Sequence, residues 1–263
     1  MALSRPPRIG LVHAGEGGEA LDALRAVSVA TAPAGDASAA AAVLASCDVL
    51  VTWCASESDA DTLLARREGL LWRAPPGLTL IDFSPITPRL MKAIAQRCAT
   101  EGYRAHGAAL SCSGGASRAF VDESVMQDAS ALEAVQAIAP DVVQMGPAGS
   151  SKAMSIVECL LASVARAASD EAIAIAAGAG IDASVLIPLL LKGSGGNSAL
   201  GVQAGREPAP DSNAVQAGLA LAREAAREYR HPTTFGALAF ALSCRRSSAT
   251  EASAPARGRE LAA

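Results

Sequence analysis

The sequence predicts an α/β fold in which an N-terminal doubly wound parallel sheet is followed by an all-α C-terminal domain. Three observations carry that prediction. Short apolar runs alternate with amphipathic stretches as far as Met145, the pattern breaks at Gly146–Ser151 (GPAGSS), and nearly everything beyond reads as helix. Strand–helix–strand alternation implies a parallel sheet with helices on both faces.

The strand candidates, in order, are Arg8–His13 (RIGLVH), Val27–Thr31, Asp48–Cys54 (DVLVTWC), Leu78–Phe83 (LTLIDF), Tyr103–Leu110 and Val142–Met145. Between them lie Ala-rich stretches of helical period, among them Glu19–Arg25, Ala37–Ala45 and Pro88–Glu101. In the last of these Leu90, Ile94 and Cys98 recur every four residues. After the break, Ser151–Ala179, Ala183–Leu191, Asn213–Arg230 and Phe235–Cys244 read as helices. Val215, Leu219, Ala222, Ala226 and Tyr229 form one apolar stripe, with arginines and glutamates opposite. Gly193–Gly196 and Gly205–Pro210 are loops. The tail from Ser247 is low in apolar bulk and is expected to be disordered. The resulting division is 1–147, 148–246 and a tail, 247–263.

Composition narrows the function. The chain has 263 residues; Lys+Arg 22 against Asp+Glu 26 gives a net charge of −4, and the basic residues form no block. A sequence-independent nucleic-acid binder needs a clustered basic face. Mean hydropathy is +0.27, but charges recur too often for a membrane-spanning run. The opening MALSRPPRIG has no signal-peptide character. Six cysteines (47, 54, 98, 112, 159, 244) contain no C-x-x-C pair and suit a reducing, cytoplasmic setting. Alanine supplies 61 residues, and small side chains suit closely packed helices. Lysines number three: Lys92, Lys152 and Lys192.

The first β–α turn carries the chief motif. The strand RIGLVH leads into His13-Ala14-Gly15-Glu16-Gly17-Gly18 and then a helix, where a Rossmann-like dinucleotide fold places G-x-G-x-x-G. His13 stands at the first glycine position. Gly15 and Gly18 keep the second and third, which permit cofactor approach and helix–strand packing. The acid expected about 20 residues on has no counterpart at the tip of the second strand. Asp36 has the spacing but reads as the cap of the next helix. The cofactor stays open between NADP and NAD.

These residues resemble the β-hydroxyacid dehydrogenases, which include 3-hydroxyisobutyrate and 6-phosphogluconate dehydrogenases, over about residues 8 to 242. Gly15-Glu16 is similar to a subgroup of phosphogluconate-dehydrogenase-like proteins of unknown function. Ile81-Asp82-Phe83-Ser84-Pro85-Ile86-Thr87-Pro88 resembles the family's I-D-x-S-x-x-x-P segment. Ala109–Ser113 (ALSCS) falls where the family has its substrate-binding P-V-S-G-G. The resemblance implies a small-molecule substrate, a homodimer formed through the all-α half, and cofactor contacts at His13, Ala14, Gly15, Glu16, Gly18, Trp53, Cys54 and Ser84.

The departures are as informative. A gapless match puts Ser155 at the family's catalytic lysine and Glu158 at its substrate-binding asparagine, with Lys152 one turn earlier. Ser111 alone survives of the P-V-S-G-G polar set, Val215-Gln216 replaces a late Lys-Asp pair, and 30 residues from Gly18 to Asp48 are fewer than the family uses. The candidate catalytic set is therefore Lys152, Ser155, Glu158 and Ser111. Lys152 is either a proton donor or a solvated lysine, and Glu158 is the alternative acid. The implied activity is NAD(P)-dependent hydride transfer to or from a small carbonyl, hydroxy-acid or imine substrate. The alternative is a catalytically impaired protein of the same fold that binds or assembles. No G-x-S-x-G, G-x-x-x-x-G-K or H-E-x-x-H motif is present. His106 reads as a satisfied strand histidine, and no metal site is indicated.

Overall fold

A computed structural model describes residues 5–66, 69–70, 74–113, 116–205 and 212–253. Its centre is a seven-stranded sheet in the order β2-β1-β3-β4-β5-β6-β7, built from β1 (Ile9–Ala14), β2 (Ala30–Pro33), β3 (Val49–Cys54), β4 (Thr79–Asp82), β5 (Arg104–Ser113), β6 (Ala116–Val121) and β7 (Asp141–Gln144). The first five are mutually parallel; β6 runs antiparallel to β5, and β7 follows β6. Strands β1, β3 and β4 are buried and largely aliphatic because both of their faces are covered. On one face Leu21 and Leu24 of α1 (Gly18–Val27) and Ala131, Ala134, Val135 and Ile138 of α5 (Ala129–Ile138) cover Leu11, Val51 and Ile81. On the other, α2 (Ala37–Ser46) and α4 (Pro88–Thr100) cover Val12, Leu50 and Leu80.

Several elements differ from the sequence expectation, three of them in the α/β half. The second strand is Ala30–Pro33, because α1 runs on to Val27 and is closed by Ser28, whose hydroxyl donates to the Leu24 carbonyl at 2.7 Å. Strand β6 went unread, since six residues (ASRAFV) behind a Ser-Gly-Gly run look like loop. So did Glu57–Ala65, where α3 (Glu57–Ala60) continues into a single π turn, Asp61–Ala65. Beyond β2 there is no further strand among the described residues, so the outer strand of a six-strand doubly wound sheet is missing and β2 is the edge.

The all-α half is organised around α6 (Ser150–Gly178), whose 29 residues make a rod of about 43 Å at 1.5 Å per residue. It packs against α4 and β5 on the sheet side, and against α7 (Ala183–Lys192), α8 (Ser198–Gln203), α9 (Ser212–Glu228) and α10 (Thr234–Ser253). Gly218 lets α9 approach closely, since a Cβ there would strike the Cys159 thiol. Ile156, Leu221, Ala222 and Ala225 form the small core between the two helices. Helix α10 continues to Ser253, beyond the Ser247 at which the sequence places the tail. The segment SSATEAS holds no glycine or proline, and Pro255 is the first residue able to stop it. The rest of the predicted tail, 254–263, lies outside the described residues. No helix of the described residues is long and apolar enough to cross a membrane.

A buried carboxylate sets the start of α6. Its cap residue, Gly149, has a φ of 90° and no side chain to offer. Asp122, at the end of β6, accepts from the Gly149 amide at 2.8 Å and the Ser151 amide at 2.9 Å. Two of the helix's unpaired N–H groups are thereby satisfied, and the negative charge meets the positive end of the dipole. Gly107 of β5 leaves the room: a Cβ there would clash with the Asp122 carboxylate.

Candidate active site

Helix α1 crosses one face of the sheet to reach β2 and α2 returns over the other to β3, so the chain direction switches between β1 and β3. Open α/β sheets bind ligands in the crevice at that point, beyond the carboxyl ends of the strands. The glycine turn closes this crevice. Gly15 has a φ of 78°, and a Cβ there would lie 2.6 Å from that of Ala55, whose amide donates to the Ala14 carbonyl at 2.8 Å. Gly17 rides on the Trp53 indole, 2.5 Å from Nε1 to where a Cβ would be. Gly18 has a φ of 51° and open space around its α-carbon. Helix α1 has no side-chain cap, so its first-turn amides are free to bind an anion. Glu16 is exposed beside them.

His13 and Trp53 are register partners on adjacent strands. Each leaves one ring nitrogen, His13 Nδ1 and Trp53 Nε1, buried without a hydrogen-bond partner. Burial lowers the His13 pKa, and Arg25, 3.4 Å from Nε2, lowers it further. Asp36 caps α2, its Oδ1 accepting from the Ser38 amide at 3.0 Å and the Ala39 amide at 2.9 Å.

At the next strand ends lies a knot of buried polar groups. Lys152 is 1% exposed. Its Nζ is 2.9 Å from Asp82 Oδ2 and donates to the carbonyls of Asp82 (2.7 Å), Ser84 (2.9 Å) and Ala108 (2.8 Å). Asp82 Oδ1 accepts from Thr52 Oγ1 at 2.8 Å and Ser84 Oγ at 2.6 Å, and Ser84 Oγ accepts from the Cys54 amide at 2.9 Å. The I-D-x-S segment is thus the clasp between β3, β4, β5 and α6. Lys152 is neither a solvated lysine nor a side chain with protons to offer a ligand, because an ammonium has three N–H groups and the interior takes them all. Cys54 and Ser84 are likewise turned inward, and burial pushes the Cys54 thiol up to about 12.

Further along the same helix the environment opens. Strand β5 outruns β4, whose last residue Asp82 pairs with Gly107, so Ser111 stands beyond the edge of the parallel sheet. Its hydroxyl donates to Glu158 Oε1 at 2.5 Å. Both side chains are half-buried, as is Ser155 between them and Lys152; Ser155 makes no side-chain hydrogen bond among the described residues. Residues 152, 155 and 158 recur at three, so neighbours in the series adjoin while 152 and 158 stand about 120° apart around α6. The structure therefore unites Ser111 with Glu158 and separates Lys152 from them.

His106 is held by Ser124 (2.8 Å) and Asp128 (3.3 Å) near the start of β5. Burial lowers its pKa against the opposing pull of Asp128. Asp122 and Thr52 escaped the sequence reading, because nothing in FVDE points to an amide 27 residues on. Among the described residues no group of His, Cys, Asp or Glu is arranged to hold a metal.

A glycine turn at a switch point, an uncapped helix N-terminus and a polar pair on a long adjoining helix define a dinucleotide-binding α/β protein with a helical second domain. The model for the NAD binding domain of 6-phosphogluconate dehydrogenase matches residues 20–169, and the chain belongs to that family, within the β-hydroxyacid dehydrogenase superfamily. It is 28% identical over 213 residues to an NAD-dependent L-serine dehydrogenase of Pseudomonas aeruginosa, covering 74% of this chain and 72% of the relative. Among solved structures, 3-hydroxyisobutyrate dehydrogenase of Mycobacterium tuberculosis with L-serine has a TM-score of 0.71 at 17% identity, covering 92% of this chain and 94% of that one. An imine reductase of Myxococcus stipitatus in complex with NADP+ gives 0.60 at 15%, covering 92% and 95%. At those identities the structures show a shared fold.

Proposed function

We propose that this protein is an NAD(P)-dependent oxidoreductase that moves a hydride between a nicotinamide cofactor and a small carbonyl, hydroxy-acid or imine substrate. One observation carries the reading: the open glycine turn at the β1/β3 switch point shares its end of the sheet with the Ser111–Glu158 pair. The turn suits a dinucleotide, with uncapped amides and open space at Gly18 where a pyrophosphate needs both. Gly15, Gly17, Gly18 and the α1 amides would hold the pyrophosphate, and Trp53 with Ala55 would line the wall toward β3. Bound there, the nicotinamide supplies or accepts the hydride. Glu158 holds or releases the accompanying proton, Ser111 fixes its carboxyl, and Ser155 offers a hydroxyl to the substrate.

Calorimetric titration with NADH and, separately, NADPH tests this. Micromolar binding of either is expected and identifies the cofactor; no binding of either at millimolar concentration would overturn the reading. We further infer a homodimer. Val157, Leu161 and Ile175 of α6, Val185 and Leu189 of α7, and Phe235 and Leu238 of α10 are exposed apolar side chains on one half of the molecule. Light scattering at micromolar concentration should give twice the 26.4 kDa chain mass; a monomer contradicts it. Cys47, Cys54, Cys98, Cys112 and Cys159 form no disulfide among the described residues, which fits a reducing cytoplasm.

A further inference from the structure

Resting on the hydride-transfer reading, we propose that the Ser111–Glu158 site takes a substrate whose reacting carbon bears a protonated nitrogen, an iminium or its amine, in preference to one bearing a carboxylate.

Charge supplies the first argument. Of the cations on this side of the sheet, Lys152 is buried and paired with Asp82. Arg118, the register partner of Ser111 on β6, is paired with Asp141 at 2.6 Å. Among the described residues Glu158 makes no ion pair, and its carboxylate meets the Ser111 hydroxyl alone. A carboxylate ligand beside it would lose its hydration and meet a like charge, whereas a cation would be attracted in a half-buried setting where Coulomb terms exceed those in water.

Hydrogen-bond polarity supplies the second, independently. The Ser111 hydroxyl gives its one proton to Glu158, which leaves lone pairs facing outward from both partners. Ser155 is the one side chain of the set with a proton to give. Such a site satisfies a ligand rich in N–H groups and leaves a carboxylate with unpaired oxygens, the kind of mismatch that discriminates strongly between substrates.

The chemistry balances. The iminium carbon gains a hydride, its C=N π pair becomes the nitrogen lone pair, and the electrons come from the reduced nicotinamide, which is oxidised. The amine then takes a proton from water by way of Glu158, whose carboxylate passes it on and pairs with the ammonium formed. No cationic group is needed to stabilise an alkoxide, which accounts for a site whose lysine is committed elsewhere.

The test begins with the cofactor titration, then measures pyrrolidine, 3-hydroxyisobutyrate and L-serine by calorimetry on the protein saturated with whichever nicotinamide binds, and assays reduction of 1-pyrroline. Pyrrolidine should bind at least tenfold more tightly than 3-hydroxyisobutyrate, and 1-pyrroline should be reduced. Glu158→Gln should remove that preference while cofactor affinity stays within twofold, which shows the variant folded. Equal or tighter binding of 3-hydroxyisobutyrate, its oxidation, or binding of none of the three probes to the cofactor complex overturns the substrate inference and leaves the cofactor reading intact. Absence of cofactor binding overturns both.

Discussion

Lys152 and Glu158 lie six residues apart on α6, yet they inhabit different physical worlds. Lys152 is sealed among the ends of β4 and β5, with a carboxylate and three carbonyls within 2.9 Å. Glu158 meets a single hydroxyl and keeps contact with solvent. A charge committed on every side holds structure together, whereas one with a coordination site to spare is available for chemistry. In this protein Lys152, the group that looks catalytic by residue type, does the first job, and Glu158 is the one we propose for the second.

Removing the lysine is the most severe way to break the contrast. Lys152→Ala strands the Asp82 carboxylate at full burial, and breaking one side of such a pair costs about 3–5 kcal/mol. Urea denaturation should show a loss of that order. The double variant Lys152→Met, Asp82→Asn should recover part of it, because what destabilises the single variant is chiefly the unpaired charge. A Lys152→Ala protein within about 1 kcal/mol of the parent, the usual scale for an exposed pair, would mean that the ammonium reaches solvent and is free for a substrate.

The difference between these two regions explains what the sequence could and could not disclose. Strands β1, β3 and β4 were legible because double-sided burial writes itself as short runs rich in Val, Leu and Ile, and the glycine turn because positive φ at Gly15 and Gly18 favours glycine. Asp36 was legible as a cap because capping is local. The fate of Lys152 was not. Its environment depends on where β4 and β5 stop and on Asp122, from β6, seating the first turn of α6, all contacts between residues 27 to 70 positions apart. Residues 152, 155 and 158 recur at three, so each is a neighbour of the next, but the series turns about 120° around the helix, and where the sheet's edge falls decides which of them is sealed.

A pH titration sharpens the same contrast with a smaller effect. Burial lowers the pKa of His106 and of His13 below 6.5. The unfolded chain therefore binds more protons between 6.5 and the folded values, and stability contributed by these groups is complete above pH 6.5 and declines as pH falls below it. The midpoint of thermal unfolding should be lower at pH 5.5 than at 7.5, and His106→Gln should flatten the slope. A second decline belongs below pH 3.8, where Asp48, held down to about 2 by its hydrogen bonds with Arg8, becomes protonated. A midpoint that rises on acidification from 7.5 to 5.5 would mean that the imidazoles gain partners on charging, contrary to their burial.

The smallest stability effect belongs to Glu158, and its smallness is the point. Glu158→Gln keeps the shape of the side chain and a carbonyl oxygen for the Ser111 hydroxyl, on a half-buried position with no ion pair to break. Surface changes of this kind stay within about 0.5 kcal/mol. Removing a positioned acid–base group, by contrast, costs about 10²–10⁴-fold in rate. A variant that melts with the parent, binds the nicotinamide as the parent does and has lost turnover would separate chemistry from architecture on one helix. Should the glutamine variant instead unfold with a loss approaching that of Lys152→Ala, Glu158 would prove to be a second structural clasp, and the reacting group would have to be sought at Ser155.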